Sequence, residues 1–253
     1  MEQSAPQYSQ NSIARYEAIF GRDFVSTGGL ETTKKLVGTL GLRPGMRVLD
    51  AGCGLGGSAF YMARTCGVEV LGIDLLPQMI KEARRRAAEY GLAGLEFLQG
   101  DLLQIALPQD HFDFVYSRDA FLHIAGNAEL FQRLRACLRP GGTLFFTDYA
   151  RGPAPGSNAF EAYRIENGYD LHEVRAYGAL VAAAGFTPVD AVDRTAEFVH
   201  VLQREMTSIK SAGRPERLSE ADRHYLLDRW AMKVQFCLDG DMRWCSVMAR
   251  RPV

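Results

Sequence analysis

The sequence predicts an α/β fold, a doubly wound and mainly parallel sheet with helices on its faces. Three observations carry that prediction. Between residues 46 and 186 short apolar runs alternate with helical patterns, the rhythm of repeated βαβ units. The runs are continuous, as in strands buried on both faces. A glycine-rich turn, VLDAGCGLGG at 48–57, follows the first run. In such sheets ligands bind there, beyond the carboxyl ends of the strands.

Taken in order, MRVLDAG (46–52) is the first strand, SAFYMARTCG (58–67) a helix and VEVLGID (68–74) a second buried strand. PQMIKEARRRAAEYG (77–91) is a helix: Pro77 suits its first turn, Ile80, Ala83, Ala87 and Tyr90 line one face, and Gly91 supplies the stop. Its basic run, Arg84-Arg85-Arg86, reads as a solvated face. LEFLQGD (95–101) and FDFVYS (112–117) are strands, 127–142 a helix ended by Pro-Gly-Gly, 142–150 a further strand and 171–186 a closing helix. Two segments stand outside the rhythm. Residues 1–45 are mostly helical by pattern, with a break at Ser26-Thr27-Gly28-Gly29. Residues 195–243 give two helices, the second carrying Trp230 and Lys233, and WCSVMARR (244–251) reads as an edge strand. The expected organisation is one domain: an N-terminal helical lid (1–45), a core (46–194), and a C-terminal helical addition with an edge strand (195–253). The additions are expected to cover the carboxyl edge of the sheet.

The 253 residues are 47% hydrophobic and carry a formal net charge of −1. That balance exerts no long-range pull on nucleic acid or on an anionic membrane. Five cysteines without CxxC spacing argue against a disulfide framework or a metal site and for a reducing compartment. The polar start MEQSAPQYSQNS lacks the apolar stretch of a secretory signal, and no run approaches the roughly 18 apolar residues of a membrane span. A cytoplasmic protein is expected.

Gly52, Gly54 and Gly57 satisfy GxGxxG, which alone leaves a dinucleotide site open. Asp50 lies in the approach to the loop, where it would repel a pyrophosphate and tolerate a ligand bearing an ammonium group. Asp74 ends the second strand, 20 residues after Gly54, where a carboxylate accepts both ribose hydroxyls. Asp101 ends the third, placed to accept from the exocyclic amine of adenine. An amino-acid end, a ribose and an adenine in a row describe S-adenosylmethionine (SAM).

With these residues the chain resembles the class I SAM-dependent methyltransferases over roughly residues 40–150. RYEAIFGRDFVSTGGLETTKK (15–35) and YSRDAFLHI (116–124) are more specific, together with TDYA (147–150), AYRIENGY (162–169) and Lys233 three residues after Trp230. They resemble the phosphoethanolamine N-methyltransferases of plants, nematodes and the malaria parasite, over nearly the whole chain. The resemblance implies the Rossmann-like class I methyltransferase fold, SAM as cofactor, a small-molecule amine acceptor, no metal and a monomer. It implies that Val25, Ser26, Asp50, Gly52, Gly54, Asp74, Leu75, Asp101, Leu102 and Arg118 meet SAM. Tyr16 and His123 match a pair that closes the site and takes part in proton removal, and Asp119 matches the acid that binds the amine. Tyr149, Tyr163, Tyr169 and Lys233 match groups that hold a substrate phosphate. In one departure, Asn167 stands where the phosphate grip of the family includes an arginine. Two acceptors stay open: phosphoethanolamine or a close amine, with Arg164 one helical turn away compensating, or another small metabolite, without a phosphate monoester, methylated at nitrogen, oxygen or carbon.

The residue types suit the chemistry. A primary ammonium with a pKa near 10.4 costs roughly 4–5 kcal/mol to deprotonate at cellular pH. A positioned base contributes about 10²–10⁴-fold, and His123 has an intrinsic pKa close to neutral. Asp119, four residues earlier, shares a face with it if the segment turns helical. Tyrosine faces hold a quaternary ammonium, which has no hydrogen to donate. A protein that only binds SAM needs none of Tyr16, Asp119 and His123. An enzyme acting on flipped bases would show a broad basic footprint and an Asn/Asp-Pro-Pro-aromatic loop where this chain has SRDA.

Overall fold

The computed structural model describes residues 10–153, 155–211 and 218–253. The first part of the expected N-terminal lid, residues 1–9, lies outside the described residues. Helices α1 (Gln10–Phe20) and α2 (Gly29–Val37) precede β1 (Arg47–Ala51). There follow α3 (Gly57–Cys66), β2 (Glu69–Asp74), α4 (Pro77–Tyr90), β3 (Leu95–Gln99) and β4 (Phe112–Arg118). A single 3-10 turn at Phe121–His123 leads to α5 (Asn127–Cys137), β5 (Leu138–Arg151), α6 (Asn158–Glu166) and α7 (Val174–Ala183). The chain continues through β6 (Val189–Asp193), α8 (Thr195–Ser211), α9 (Glu220–Asp239) and β7 (Met242–Arg250).

The strands form one sheet in the order β3-β2-β1-β4-β5-β7-β6. The first five are mutually parallel, and β7 runs antiparallel to both β5 and β6. From β1 the chain moves to one side to build β2 and β3, then returns to the other side of β1 for β4. That reversal opens a crevice at the carboxyl end of β1, the usual ligand position in open α/β sheets. Successive side chains of a strand face opposite sides, and β1 shows it. Val48 belongs to a buried cluster with Ala59 and Met62 of α3 and Ile80 of α4. Leu49 belongs to another, with Leu130 and Leu134 of α5 and Val181 of α7. Helices thus cover both faces, as continuous apolar strands require.

A third, aromatic-rich cluster gathers α1, α6, α8 and α9 around Leu122 and Tyr149, near the carboxyl ends of β4 and β5. Helix α9 begins at Ser219, whose hydroxyl accepts the Asp222 amide at 3.1 Å, and stops at Gly240 in the left-handed conformation. Its Arg229 and Lys233 are four residues apart and share a face.

Three expectations are corrected. The 127–142 helix ends at Cys137, because Leu138 is extended and pairs with Phe112. Residues 138–142 then bulge before Thr143 pairs with Phe114, and Pro140 could not have continued the helix. The segment at 244–251 is not an edge, since β7 is flanked by β5 and β6. The true edge, β6, has the sequence VDAVD, whose brevity and acids suit an exposed edge and conceal it as a strand. The Arg84–Arg86 run is not one solvated face. Arg85 is exposed and paired with Glu82 and Glu89, but Arg86 is buried and bridges α4 to the N-terminal segment. It meets Glu17 at 2.5 Å, Asp23 at 2.9 Å and Glu82 at 3.4 Å.

Candidate active site

The glycine turn after β1 closes by hydrogen bonds from the Gly52 and Cys53 amides to the Ile73 carbonyl, at 2.8 and 3.0 Å. Gly52 has φ 81°, and a Cβ there would sit 2.4 Å from that of Ala120, so this turn admits only glycine. It forms one wall of a cavity of about 240 Å³. Every residue assigned to SAM from the sequence lines it: Val25, Ser26, Asp50, Gly52, Gly54, Asp74, Leu75, Asp101, Leu102 and Arg118.

Its acids differ in how they are held. Asp50 is buried, and its Oδ2 has no hydrogen-bond partner among the described residues. Burial, then the neighbouring Asp74, pushes its carboxyl up to about 7, against the pull of Arg118. Asp74 accepts the Gly54 amide on Oδ2 at 2.8 Å and the Leu76 amide on Oδ1 at 3.0 Å. Each carboxylate oxygen retains a further lone pair. Asp101 accepts the Leu103 amide at 2.9 Å and is otherwise exposed. Leu75 is 58% exposed beside it, an apolar side chain with nothing apolar over it in a cavity wall. Arg118 turns away from this group. Its Nη1 donates to the Gly29 carbonyl at 2.8 Å and to Thr33 Oγ1 at 2.6 Å, and its Nη2 to the Thr27 carbonyl. It fastens the start of α2 to the end of β4.

A smaller cavity of about 50 Å³ adjoins the first and shares Val25, Ser26, Asp119 and His123 with it. Asp119 follows β4 with φ 52°, a conformation that costs a non-glycine residue energy and clusters at functional sites. Its Oδ1 accepts from Thr147 Oγ1 at 3.0 Å and Trp244 Nε1 at 2.8 Å, while the buried Oδ2 has no partner among the described residues. His123 closes the 3-10 turn and lies edge-on to Tyr169 at 5.2 Å. Its ring is accessible from the cavities it lines, yet the protein around it withdraws it from bulk solvent, and that desolvation pulls its pKa down to about 4. Tyr16 lines the small cavity, stacked on Phe20 at 5.8 Å, with its phenol pushed up to about 12, chiefly by burial.

On the α9 wall, Lys233 is buried and donates to Tyr149 OH at 2.8 Å. Burial, then the charge of Arg229, brings its ammonium down to about 7. Tyr169 lines the same cavity, whereas Tyr163 lines neither and stands behind, its ring 5.5 Å from the Arg229 guanidinium carbon. Behind the wall, buried Glu205 of α8 accepts from Trp230 Nε1 at 2.6 Å and from the Gly28 amide at 2.7 Å. It locks α9 to the loop that carries Ser26.

A family model described as a methyltransferase domain matches residues 48–142. A phosphoethanolamine N-methyltransferase of Plasmodium falciparum is 32% identical over 244 residues, covering 94% of this chain and 91% of the relative. The chain belongs to the phosphoethanolamine N-methyltransferase family. Phosphoethanolamine N-methyltransferase 3 of Arabidopsis thaliana is 43% identical over 248 residues, 97% of this chain but 50% of that protein. The chain thus spans about half the length of such plant relatives. Among solved structures, phosphoethanolamine N-methyltransferase 2 of Haemonchus contortus superposes with a TM-score of 0.95 at 29% identity, over 98% of this chain and 58% of that one. It was captured with phosphomonomethylethanolamine and S-adenosylhomocysteine.

Within this family frame one expectation is overturned. Arg164 does not compensate for Asn167: its Nε donates to Glu161 at 2.8 Å and its Nη1 to the Tyr169 carbonyl at 3.2 Å, and it lines neither cavity. The cation that reaches the small cavity beside Lys233 is Arg229, which sequence reasoning missed. Its signal was its place one helical turn before Lys233. Thr147, Trp244 and Glu205 were also missed. The bonds of Trp244 and Glu205 join positions 125 and 177 apart in sequence, which no local pattern reports.

Proposed function

We propose that this chain is a SAM-dependent N-methyltransferase acting on the amine of phosphoethanolamine or a closely related small amine. The observation that carries the reading is Asp119 Oδ2, a buried carboxylate oxygen without a partner at the junction of the two cavities. A buried carboxylate oxygen left unpaired is costly, and an ammonium donor satisfies it. The cations of the small cavity, Arg229 and Lys233, suit an acceptor whose other end is anionic. The names of the relatives, and the ligands of the Haemonchus structure, support the same acceptor class and cofactor.

The residues of the large cavity fit SAM. The unpartnered Oδ2 of Asp50 suits the ammonium of an amino-acid end, the spare lone pairs of Asp74 suit ribose hydroxyls, and Leu75 and Leu102 with Asp101 suit adenine. When bound, SAM supplies an electrophilic methyl group. Asp119 draws in the acceptor ammonium and holds it at the junction. His123, uncharged in this site, is placed to relay the proton that the amine must lose before its lone pair can react, passing it on because desolvation leaves the ring too weak a base to retain it. Tyr16 and Tyr169 offer aromatic faces to the nitrogen as its N–H groups are replaced.

Segments 1–45 and 195–253 act in this reading as the cover of a single domain with core 46–194, since Tyr16, Arg229, Trp230 and Lys233 all reach the small cavity. Among the described residues no helix is long and apolar enough to cross a membrane. All five cysteines are free thiols, which supports a reducing, cytoplasmic setting, and the near-zero net charge supports a small-molecule acceptor over nucleic acid. A monomer is proposed on the family resemblance. The test is S-adenosylhomocysteine release with matched panels of phosphorylated and plain amines. Turnover of phosphoethanolamine is expected, and turnover confined to unphosphorylated acceptors would sink the reading.

A further inference from the structure

Two cations in a cavity of about 50 Å³ need an explanation. Arg229 and Lys233 lie one turn apart on α9 and both line it. Like charges at this spacing repel on a helix, and here they are withdrawn from water as well. Lys233 is buried against Tyr149 and Trp230, with Nζ 4.7 and 5.8 Å from their ring centroids. Among the described residues no carboxylate forms an ion pair with either cation, although Arg151, Arg164 and Arg223 nearby on other surfaces each have one. The acid in the cavity, Asp119, has one oxygen engaged by Thr147 and Trp244, and the other is buried without a partner among the described residues.

Arg229 is also held deliberately in place. Its Nη2 donates to Asn167 Oδ1 at 2.9 Å, and the Nδ2 of the same Asn167 donates to the Tyr163 carbonyl at 2.7 Å. An Asn amide with both ends engaged is a fixed acceptor, and Tyr163 supports the guanidinium from behind with its ring. Apart from a long contact from Nη1 to Tyr225 OH at 3.5 Å, the other donors of the fork have no partner among the described residues. A planar guanidinium with a nearby ammonium is the donor set that matches a phosphate monoester, bidentate from one side and as a point charge from the other.

We infer that Arg229 grips the acceptor's phosphate beside Lys233, and that Asn167 is the positioning residue that holds the Arg229 guanidinium in the cavity. This deepens the proposed function and rests on its reading of the acceptor as a phosphorylated amine. The asparagine at 167 is then no loss of charge. The positive charge comes from α9, and an arginine at 167, within hydrogen-bond reach of Arg229, would set a third cation beside the first two. The anion subsite is a property of the pair 167 and 229 together.

The test uses the full chain with S-adenosylhomocysteine bound. Titration with inorganic phosphate gives a Kd, and steady-state kinetics with phosphoethanolamine give KM and kcat. Arg229→Gln is expected to raise both Kd and KM by roughly tenfold or more, as loss of a charge-assisted bond does. The fall in kcat should be smaller than the rise in KM, with S-adenosylhomocysteine affinity and Tm retained. Arg229→Lys should recover part of the loss. Asn167→Ala should raise the same two constants by a smaller factor. Asn167→Arg alone should not tighten phosphate binding, whereas Asn167→Arg combined with Arg229→Gly should restore most of it. The inference is overturned if Arg229→Gln leaves both constants within about twofold of wild type, or if its losses track lost S-adenosylhomocysteine binding and Arg229→Lys recovers none. Failure of the acceptor reading gives a separate signal: wild-type protein that methylates no phosphorylated amine. In that case the inorganic phosphate titration of Arg229→Gln still decides the role of Arg229.

Discussion

The two carboxylate oxygens of Asp119 have unequal duties, one fixed by Thr147 and Trp244, the other unsatisfied at the cavity junction. Asp119→Asn keeps the shape and removes the charge. Buried charge-assisted bonds contribute about 1.5–3 kcal/mol, so kcat/KM for the acceptor should fall by roughly 10–100-fold while S-adenosylhomocysteine affinity holds. Equal acceptor kinetics in the variant would remove Asp119 from the amine site. His123→Ala and Tyr16→Phe should each lower kcat at least about tenfold, the lower end of what a positioned acid or base contributes, again with S-adenosylhomocysteine affinity kept in a direct titration. At this scale the sequence was most legible where a family motif names the residue. The donor-side residues come together in one cavity, and Tyr16, Asp119, His123, Tyr149, Tyr169 and Lys233 in the other. Arg229 had only its place one turn before Lys233 as a local signal, and its meaning depends on Asn167, 62 positions away. Either residue alone reads as ordinary helix-end or surface polarity.

Helix α9 carries a buried ammonium, and that has a consequence for stability. The Lys233 pKa is brought down to about 7 in the fold, below its value of roughly 10.4 in an unfolded chain. Between those two values the unfolded chain binds a proton that the native one lacks, so this group makes stability rise with pH across that window. Below about pH 7 both states are protonated and the cost of burying the charge is fully present. Lys233→Met should flatten the slope, measured by urea unfolding at pH 7, 8 and 9. Helix α1 has its own anchor, since Arg86 of α4 reaches Glu17 and Asp23 from a buried position. Breaking a buried pair by removing one partner costs about 3–5 kcal/mol. With the carboxylates here partly exposed, Arg86→Met should lose toward the bottom of that range, about 3 kcal/mol, in denaturant unfolding. Element types were readable from periodicity and caps, as at Pro77 and Gly91. Boundaries and edges were not, because pairing decided them: Leu138 joins the sheet through Phe112, and β7 acquires a second neighbour in VDAVD.

For the molecule as a whole, the alternation of apolar runs and helical patterns carried the architecture, and the glycine turn located the crevice at the reversal beside β1. The aromatic cluster of α1, α6, α8 and α9 was not readable as a unit. It assembles from four segments that each look merely amphipathic, and it exists only once they meet around Leu122 and Tyr149. Its small cavity has a polarity. The carboxylate of Asp119 sits at the junction with the large cavity, and the two cations line the small cavity alone. In the proposed reading that field orients a zwitterionic acceptor by its dipole, phosphate inward and nitrogen toward the junction. Methylation leaves the nitrogen with its single positive charge, so the dipole that the cavity recognises is the same before and after each transfer. The electrostatic grip therefore does not release a finished molecule. The fully methylated phosphoamine should inhibit competitively against phosphoethanolamine, with a Ki within about a hundredfold of the KM, since it keeps its charge and forgoes one charge-assisted N–H bond to Asp119, a loss of about 1.5–3 kcal/mol. Initial-rate kinetics with added product would show it, and no inhibition at a hundredfold excess over KM would mean that the cavity reads hydrogens instead of charge.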